Sequence, residues 1–156
     1  MREERSISRR VNLASFREQR SLEEFDWRFN PTIHQQPLDN LATGRFFREH
    51  KDVLLYGPPG TGKSHLVQAI GNSVIKSGFT VYYRSIFDVV RDFLLDEAFE
   101  GHDKVLNDYL KPELLIIDNM GMKQLPKRSG EYLFEIIMHR YETRSTMMTS
   151  NQNGAN

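Results

Sequence analysis

Four apolar residues, Val53 to Tyr56 (VLLY), run straight into GPPGTGKS at 57–64, and this junction constrains the fold more than any other part of the chain. A loop of the form G-x-x-x-x-G-K-[ST] needs glycines where backbone N–H groups converge on an anion without interference from Cβ atoms. It also needs a helix behind it, whose positive N-terminal end adds to the same field. Both flanks are present. Leu66, Ala69, Ile70 and Val74 fall on one helical face, and Gly78 marks a stop. Strand, loop and helix in this order predict a nucleoside triphosphate site. Gly57, Pro58, Pro59, Gly60, Thr61, Gly62 and His65 form or flank the cradle. Lys63 reaches the β- and γ-phosphates as a point charge, and Ser64 places a hydroxyl on Mg²⁺.

The rest of the chain repeats the alternation. FTVYYR (79–84), LLIID (114–118) and STMMTS (145–150) read as strands. Ser85 with Asp88 makes a capping box, followed by the apolar stripe Ile86, Val89, Val90, Phe93 and Leu94. A shorter helix is predicted over 102–110, with Val105, Leu106, Tyr109 and Leu110 inward and Pro112 as its stop. Ser129 opens another, with Leu133, Ile136, Ile137 and Tyr141 on one side. Strands alternating with helices give the α/β class, a parallel sheet covered on both faces. Upstream, Phe25, Trp27 and Phe29 alternate as in a short extended piece, and Pro37 begins a helix through Leu38, Leu41, Phe46 and Phe47.

In LLIIDNMGM (114–122) the apolar run ends in Asp118, which falls at the carboxyl end of its strand, where open α/β sheets bind ligands. Asp118 is the natural second partner for the magnesium shell, through water. Asn119 follows it. An asparagine accepts a hydrogen bond from water but takes no proton and brings no negative charge.

Composition excludes several classes. With 38% hydrophobic and 27% charged residues in 156, this is an ordinary globular chain. The net charge of zero argues against a free-standing basic nucleic-acid binder. No cysteine is present, no apolar run reaches bilayer length, and the start MREERSISRR is not a signal peptide, so a cytoplasmic location is expected. Residues 1–20 carry Arg2, Arg5, Arg9, Arg10, Arg17 and Arg20 against three glutamates, either a solvated helical face or an arm for phosphate backbone.

VLLYGPPGTGKSHL, LLIIDNMGM and TMMTSN, with the lead-in EEFDWRF and the stretch from Met120 to Asn151, resemble the IstB-like family of AAA+ ATPases, helpers of insertion-sequence transposition related to the DnaC-like helicase loaders. The resemblance covers roughly 21–151 and implies a P-loop NTPase of AAA+ type, a three-layer sandwich. It divides the chain into a basic helical arm (1–24), a nucleotide-binding domain (25–151) and a polar tail (152–156). It implies ATP and Mg²⁺ as ligands, and Asn151 as the polar sensor that orients the attacking water. Asn119 stands where the family pattern has Asp or Glu, so slow hydrolysis is expected. The family pattern also continues beyond the sensor into a further strand, a trans-acting arginine and a helical lid. The chain is therefore expected to be a truncated copy whose loop-bearing strand lies at a sheet edge. The resemblance further implies self-assembly on duplex DNA and a transposase partner, with Arg84, Arg91, Lys123, Lys127 and Arg128 as candidate DNA contacts. A helicase loader acting on a replicative helicase, and a non-enzymatic remnant, are the alternatives.

Overall fold

Each of the four apolar runs becomes a parallel strand in the computed structural model, which describes residues 2–16, 45–57, 62–99, 104–119 and 124–151. They are β1 (Val53–Tyr56), β2 (Val81–Ser85), β3 (Leu114–Asp118) and β4 (Ser145–Ser150), in the order β1-β4-β3-β2. The register sets Val53 and Ile116 on either side of Met147, with Tyr83 opposite Ile116. Every residue of β3 is buried, because a central parallel strand has both faces covered and no need of alternation. β1 is an outer strand, as expected for the strand that feeds the loop, and it exposes Leu54 (56%) and Tyr56 (60%).

β2 starts two residues later than the apolar pattern indicates. Thr80 and Glu113 bond through their side chains: the Thr80 N–H donates to Glu113 Oε1 at 3.3 Å, and the Glu113 N–H to Thr80 Oγ1 at 3.0 Å. The ladder begins only at Val81.

Six helices are described: α1 (Arg2–Ala14), α2 (Arg45–Arg48), α3 (Lys63–Lys76), α4 (Ile86–Ala98), α5 (Lys104–Leu110) and α6 (Ser129–Arg140). α1 and α3 cover one face of the sheet. There Leu66, Ile70, Val74 and Ile75 are buried with Tyr83, Leu114, Ile116 and Met147, and Ile7 and Val11 of α1 pack against them. Burying each such aliphatic side chain contributes about 1.5–3 kcal/mol. Arg10 fastens α1 to α3 by donating to the Ile75 carbonyl at 3.1 Å. α3 ends at Ser77, and Gly78 takes φ 103°, the left-handed turn that glycine adopts without a Cβ penalty. Phe25, Trp27, Phe29, Pro37, Leu38, Leu41 and the side chain of Phe47 lie outside the described residues; Phe46 is buried in the core.

α4, α5 and α6 cover the other face. The capping box at the start of α4 is present: the Asp88 N–H donates to Ser85 Oγ at 3.0 Å and the Ser85 N–H to Asp88 Oδ2 at 3.1 Å. Ile86, Val89, Val90 and Phe93 are buried, but Leu94 turns out to solvent, one position beyond the inward stripe. On α6 the inward face is Tyr132 and Ile136 with half-buried Leu133. Tyr141 is exposed because the helix ends at Arg140 and the backbone turns extended (φ −56°, ψ 129°).

An aromatic stack closes this layer: Phe93 lies 4.7 Å from Tyr132 at an interplanar angle of 16° and 5.5 Å from Tyr109. Phe93→Ala is expected to cost about 3–5 kcal/mol, transfer plus cavity, read as a lower urea midpoint with an unchanged slope.

At the far end of α6, Arg140 is 1% exposed and forms no ion pair with a carboxylate among the described residues. It donates instead to five backbone carbonyls, those of Tyr109, Leu110, Pro112, Glu113 and Ser145, and to Thr146 Oγ1. The guanidinium thereby closes the α5–β3 connection onto the start of β4.

Candidate functional site

The loop-to-helix junction begins at Gly62, whose φ of 86° places it in the left-handed region at the N-cap of α3, where a side chain is strained. Gly62 itself offers no capping side chain, and the positive N-terminal end of α3 faces this junction. Gly57 opens the loop, and among the described residues no atom lies within 4 Å of the position a Cβ would occupy there. Its N–H donates to the Ser150 carbonyl at 3.1 Å, extending the β1–β4 ladder by one bond. Lys63 Nζ donates to the Gly57 carbonyl at 2.7 Å, across the mouth of the loop. Burial pulls the Lys63 pKa down from the usual lysine range, and the charge of Asp118 opposes that shift. Ser64 and His65 follow on the first turn of α3; Pro58, Pro59, Gly60 and Thr61 lie outside the described residues.

Asp118 ends β3 and is 1% exposed. Both of its carboxylate oxygens accept hydroxyl donors: Thr149 Oγ1 of β4 donates to Oδ1 at 2.6 Å, and the Tyr83 hydroxyl of β2 donates to Oδ2. Thr149 Oγ1 also accepts the Asn119 N–H at 3.0 Å. Asn119 and Asn151 are the residues just past the ends of the neighbouring strands β3 and β4. Among the described residues, Asn119 Oδ1 and Asn151 Nδ2 are buried without a hydrogen-bond partner. One is an acceptor and the other a donor, the two functions a bound water or a phosphate oxygen with its water requires.

These groups fit a magnesium nucleotide. Mg²⁺ takes oxygen ligands, keeps several waters and rarely has an all-protein cage. A serine hydroxyl at the start of α3 with a fixed carboxylate at the end of β3 is a donor set of that kind. The N-terminal end of α3 and Lys63 supply the positive field for the phosphates. Tyr83 and Thr149 carry no functional signal in the sequence. Each looks like one more strand residue, and only the strand register brings their hydroxyls to Asp118.

Four of the candidate DNA contacts are described. Arg84 is partly buried and tied to Asp92 and the Tyr109 hydroxyl, with its guanidinium over the Tyr82 ring, so its charge is spent inside the protein. Arg91 pairs with Asp88 at 3.2 Å on the surface. Arg128 holds Glu97 through two bonds of 2.8 and 2.9 Å and Glu131 through a third, which anchors its own left-handed backbone (φ 67°) at the head of α6. Lys127 is exposed, and Lys123 lies outside the described residues. The exposed cations Arg2, Arg5 and Arg9 of α1 follow helical spacing along one outward face.

Residues 1–155 match the family model described as IstB-like ATP binding protein. Among curated relatives, the insertion sequence IS5376 putative ATP-binding protein of Geobacillus stearothermophilus is 32% identical over 95% of this chain and 59% of its own length. The IS232 putative ATP-binding protein of Bacillus thuringiensis subsp. berliner is 30% identical over 98% and 61%. The chain therefore spans about three-fifths of the length of these relatives. Among solved structures, the DnaC helicase loader superposes with a TM-score of 0.67 at 24% identity, over 81% of this chain and 78% of that one. The replication initiator DnaA bound to AMPPCP and single-stranded DNA gives 0.70 at 22%, over 88% and 43%. Both share the AAA+ P-loop fold seen here. Among the described residues no helix is long and apolar enough to cross a membrane.

Proposed function

The chain belongs to the IstB-like ATP-binding family, and on that premise we propose that it is an ATP-operated switch that assists a transposase on duplex DNA. This reading is supported by the arrangement, at the carboxyl ends of three adjacent strands, of the α3 N-terminus with Lys63, the clamped Asp118, and Asn119 Oδ1 and Asn151 Nδ2, which have no hydrogen-bond partner among the described residues. Mg²⁺ would be held by Ser64 and, through water, by Asp118, and would supply positive charge to offset that of the phosphates. The chain's own groups do the rest. The first N–H groups of α3 and the Lys63 ammonium bind the phosphates. Asn151 donates toward the γ-phosphate or its water.

Asn119 offers the attacking water an acceptor but no base, so the site holds ATP longer than it burns it. Asn119→Glu is expected to raise single-turnover hydrolysis by about 10²-fold, the low end of general-base catalysis, with little change in the affinity for Mg·ATP. An unchanged rate would place the limiting step elsewhere.

A state held by ATP is suited to assembly, in which weak phosphate contacts add across copies. The arginine face of α1 (Arg2, Arg5, Arg9) is the surface we assign to the DNA backbone; Arg91 on α4 and Lys127 just before α6 lie with the elements that cover the opposite face of the sheet. Arg84, Arg91 and Arg128 are already engaged in ion pairs. The test is duplex binding at two or more salt concentrations, with and without Mg·ATP. ATP-dependent binding that weakens steeply with salt, and weakens again in an Arg2, Arg5 and Arg9 to Glu triple variant, is the expected result. Binding indifferent to ATP would overturn the switch. The names of the curated relatives, both tied to insertion sequences, favour a transposase over a replicative helicase as the protein partner. Capture of the helicase alone by the purified chain would reverse that choice.

A further inference from the structure

We infer that Thr149 and Tyr83 are positioning residues that aim the Asp118 carboxylate at the magnesium shell; this rests on the reading of the site as a magnesium-nucleotide site. The direction of each hydrogen bond is forced. The Asn119 backbone N–H can only donate, so Thr149 Oγ1 accepts it at 3.0 Å and must turn its own proton toward Asp118 Oδ1, 2.6 Å away. Tyr83 supplies its hydroxyl proton to Oδ2. Each carboxylate oxygen thus has one acceptor position filled by a neighbouring strand, which fixes the plane of the group and directs its remaining lone pairs.

The burial of the three side chains makes the clamp rigid. Tyr83 is 2% exposed, Asp118 1% and Thr149 4%. Register puts them on one face of the sheet at the carboxyl ends of β2, β3 and β4, with Ser85 rather than Tyr83 directly opposite Asp118. Tyr83 faces Ile116, two residues before Asp118, and Thr149 lies one step beyond the Ile117–Met148 pair. Thr149 has a second connection. Through the Asn119 N–H it fixes the backbone of the residue after the acid, and it stands two residues before Asn151 on the same strand. A single hydroxyl therefore sets the metal-side carboxylate and the start of the segment that carries Asn119.

The test is the Mg²⁺ dependence of binding of the fluorescent analogue mant-ATP to the purified chain, for wild type, Thr149→Val, Thr149→Ser and Tyr83→Phe, with an EDTA series beside it. Groups that orient a metal ligand typically change metal affinity about 10- to 100-fold when removed. Thr149→Val and Tyr83→Phe are expected to raise the Mg²⁺ midpoint by about 10-fold or more, and Thr149→Ser to stay within about threefold of wild type. The metal-free affinity for mant-ATP should be the same in all four proteins, a pattern that general loosening of the fold does not produce. Wild-type binding with Mg²⁺ midpoints shared by every variant would overturn the clamp and leave the nucleotide site standing. A metal-free affinity that falls in parallel with the Mg²⁺ response would overturn the clamp as well. A wild-type chain that binds no mant-ATP would overturn both. If Thr149→Val does not fold, Tyr83→Phe, which removes one oxygen atom, decides alone.

Discussion

Lys63→Ala should abolish the rise in thermal midpoint that Mg·ATP gives the wild-type chain. A ligand bound only by the folded state at about a hundred times its dissociation constant adds about 2.7 kcal/mol, which in a chain of this size moves the midpoint by about 5–10 °C. Lys63 is the one cationic side chain that the described structure places at the mouth of the loop, with its ammonium 2.7 Å from the Gly57 carbonyl. The variant loses the point charge for the β- and γ-phosphates and leaves the sheet and α3 intact, so its midpoint without nucleotide should lie close to that of wild type. Differential scanning fluorimetry over a range of Mg·ATP concentrations is the measurement. A variant that still shifts with ATP would mean that the helix terminus alone holds the phosphates. A wild-type chain that does not shift would remove the basis of the proposed function.

The second large effect concerns stability. Arg140→Met should cost at least about 3–5 kcal/mol, the range seen when one partner is removed from a buried charged network. Five carbonyls and the Thr146 hydroxyl lose their donor together, in a place water cannot easily reach. Burial and the neighbouring Arg144 pull the Arg140 pKa down to about 10, with Asp52 opposing. The group therefore stays charged at neutral pH, and the carbonyl dipoles are what hold that charge. Arg140→Lys should recover little, because a single ammonium cannot span acceptors that lie on both sides of a planar fork. Urea unfolding of both variants checks this; a midpoint within about 1 kcal/mol of wild type for either would show that water substitutes for the guanidinium.

Legibility from sequence followed the range of the interactions involved. The strand and helix that flank the phosphate loop, the Ser85–Asp88 capping box and the stop at Gly78 are local patterns, fixed by residues within a turn or two of each other, and the structure places each where the sequence pointed. The parallel sense of the strands follows from their alternation with helices, and the edge position of β1 from the family resemblance. Three features were not readable. The late start of β2 depends on a Thr80–Glu113 bond between residues far apart in the chain. Arg84 looked like a surface cation because nothing in its neighbourhood discloses its bond to Asp92, eight residues on in the second turn of α4, or to the Tyr109 hydroxyl. Tyr83 and Thr149 carry hydroxyls on strands otherwise apolar enough to pass as core, and their meeting at Asp118 exists only once the register of three strands is known.

The bond from the Gly57 N–H to the Ser150 carbonyl joins the first residue of the phosphate loop to the residue before Asn151. On the proposed function, holding the nucleotide and contacting its γ-phosphate would be tasks of one jaw, because this bond ties the loop's entry to the tip of β4. Under that reading, loss of the γ-phosphate would be felt by both joined strands, one of which, β1, carries the exposed Leu54 and Tyr56 on the outer side of the sheet.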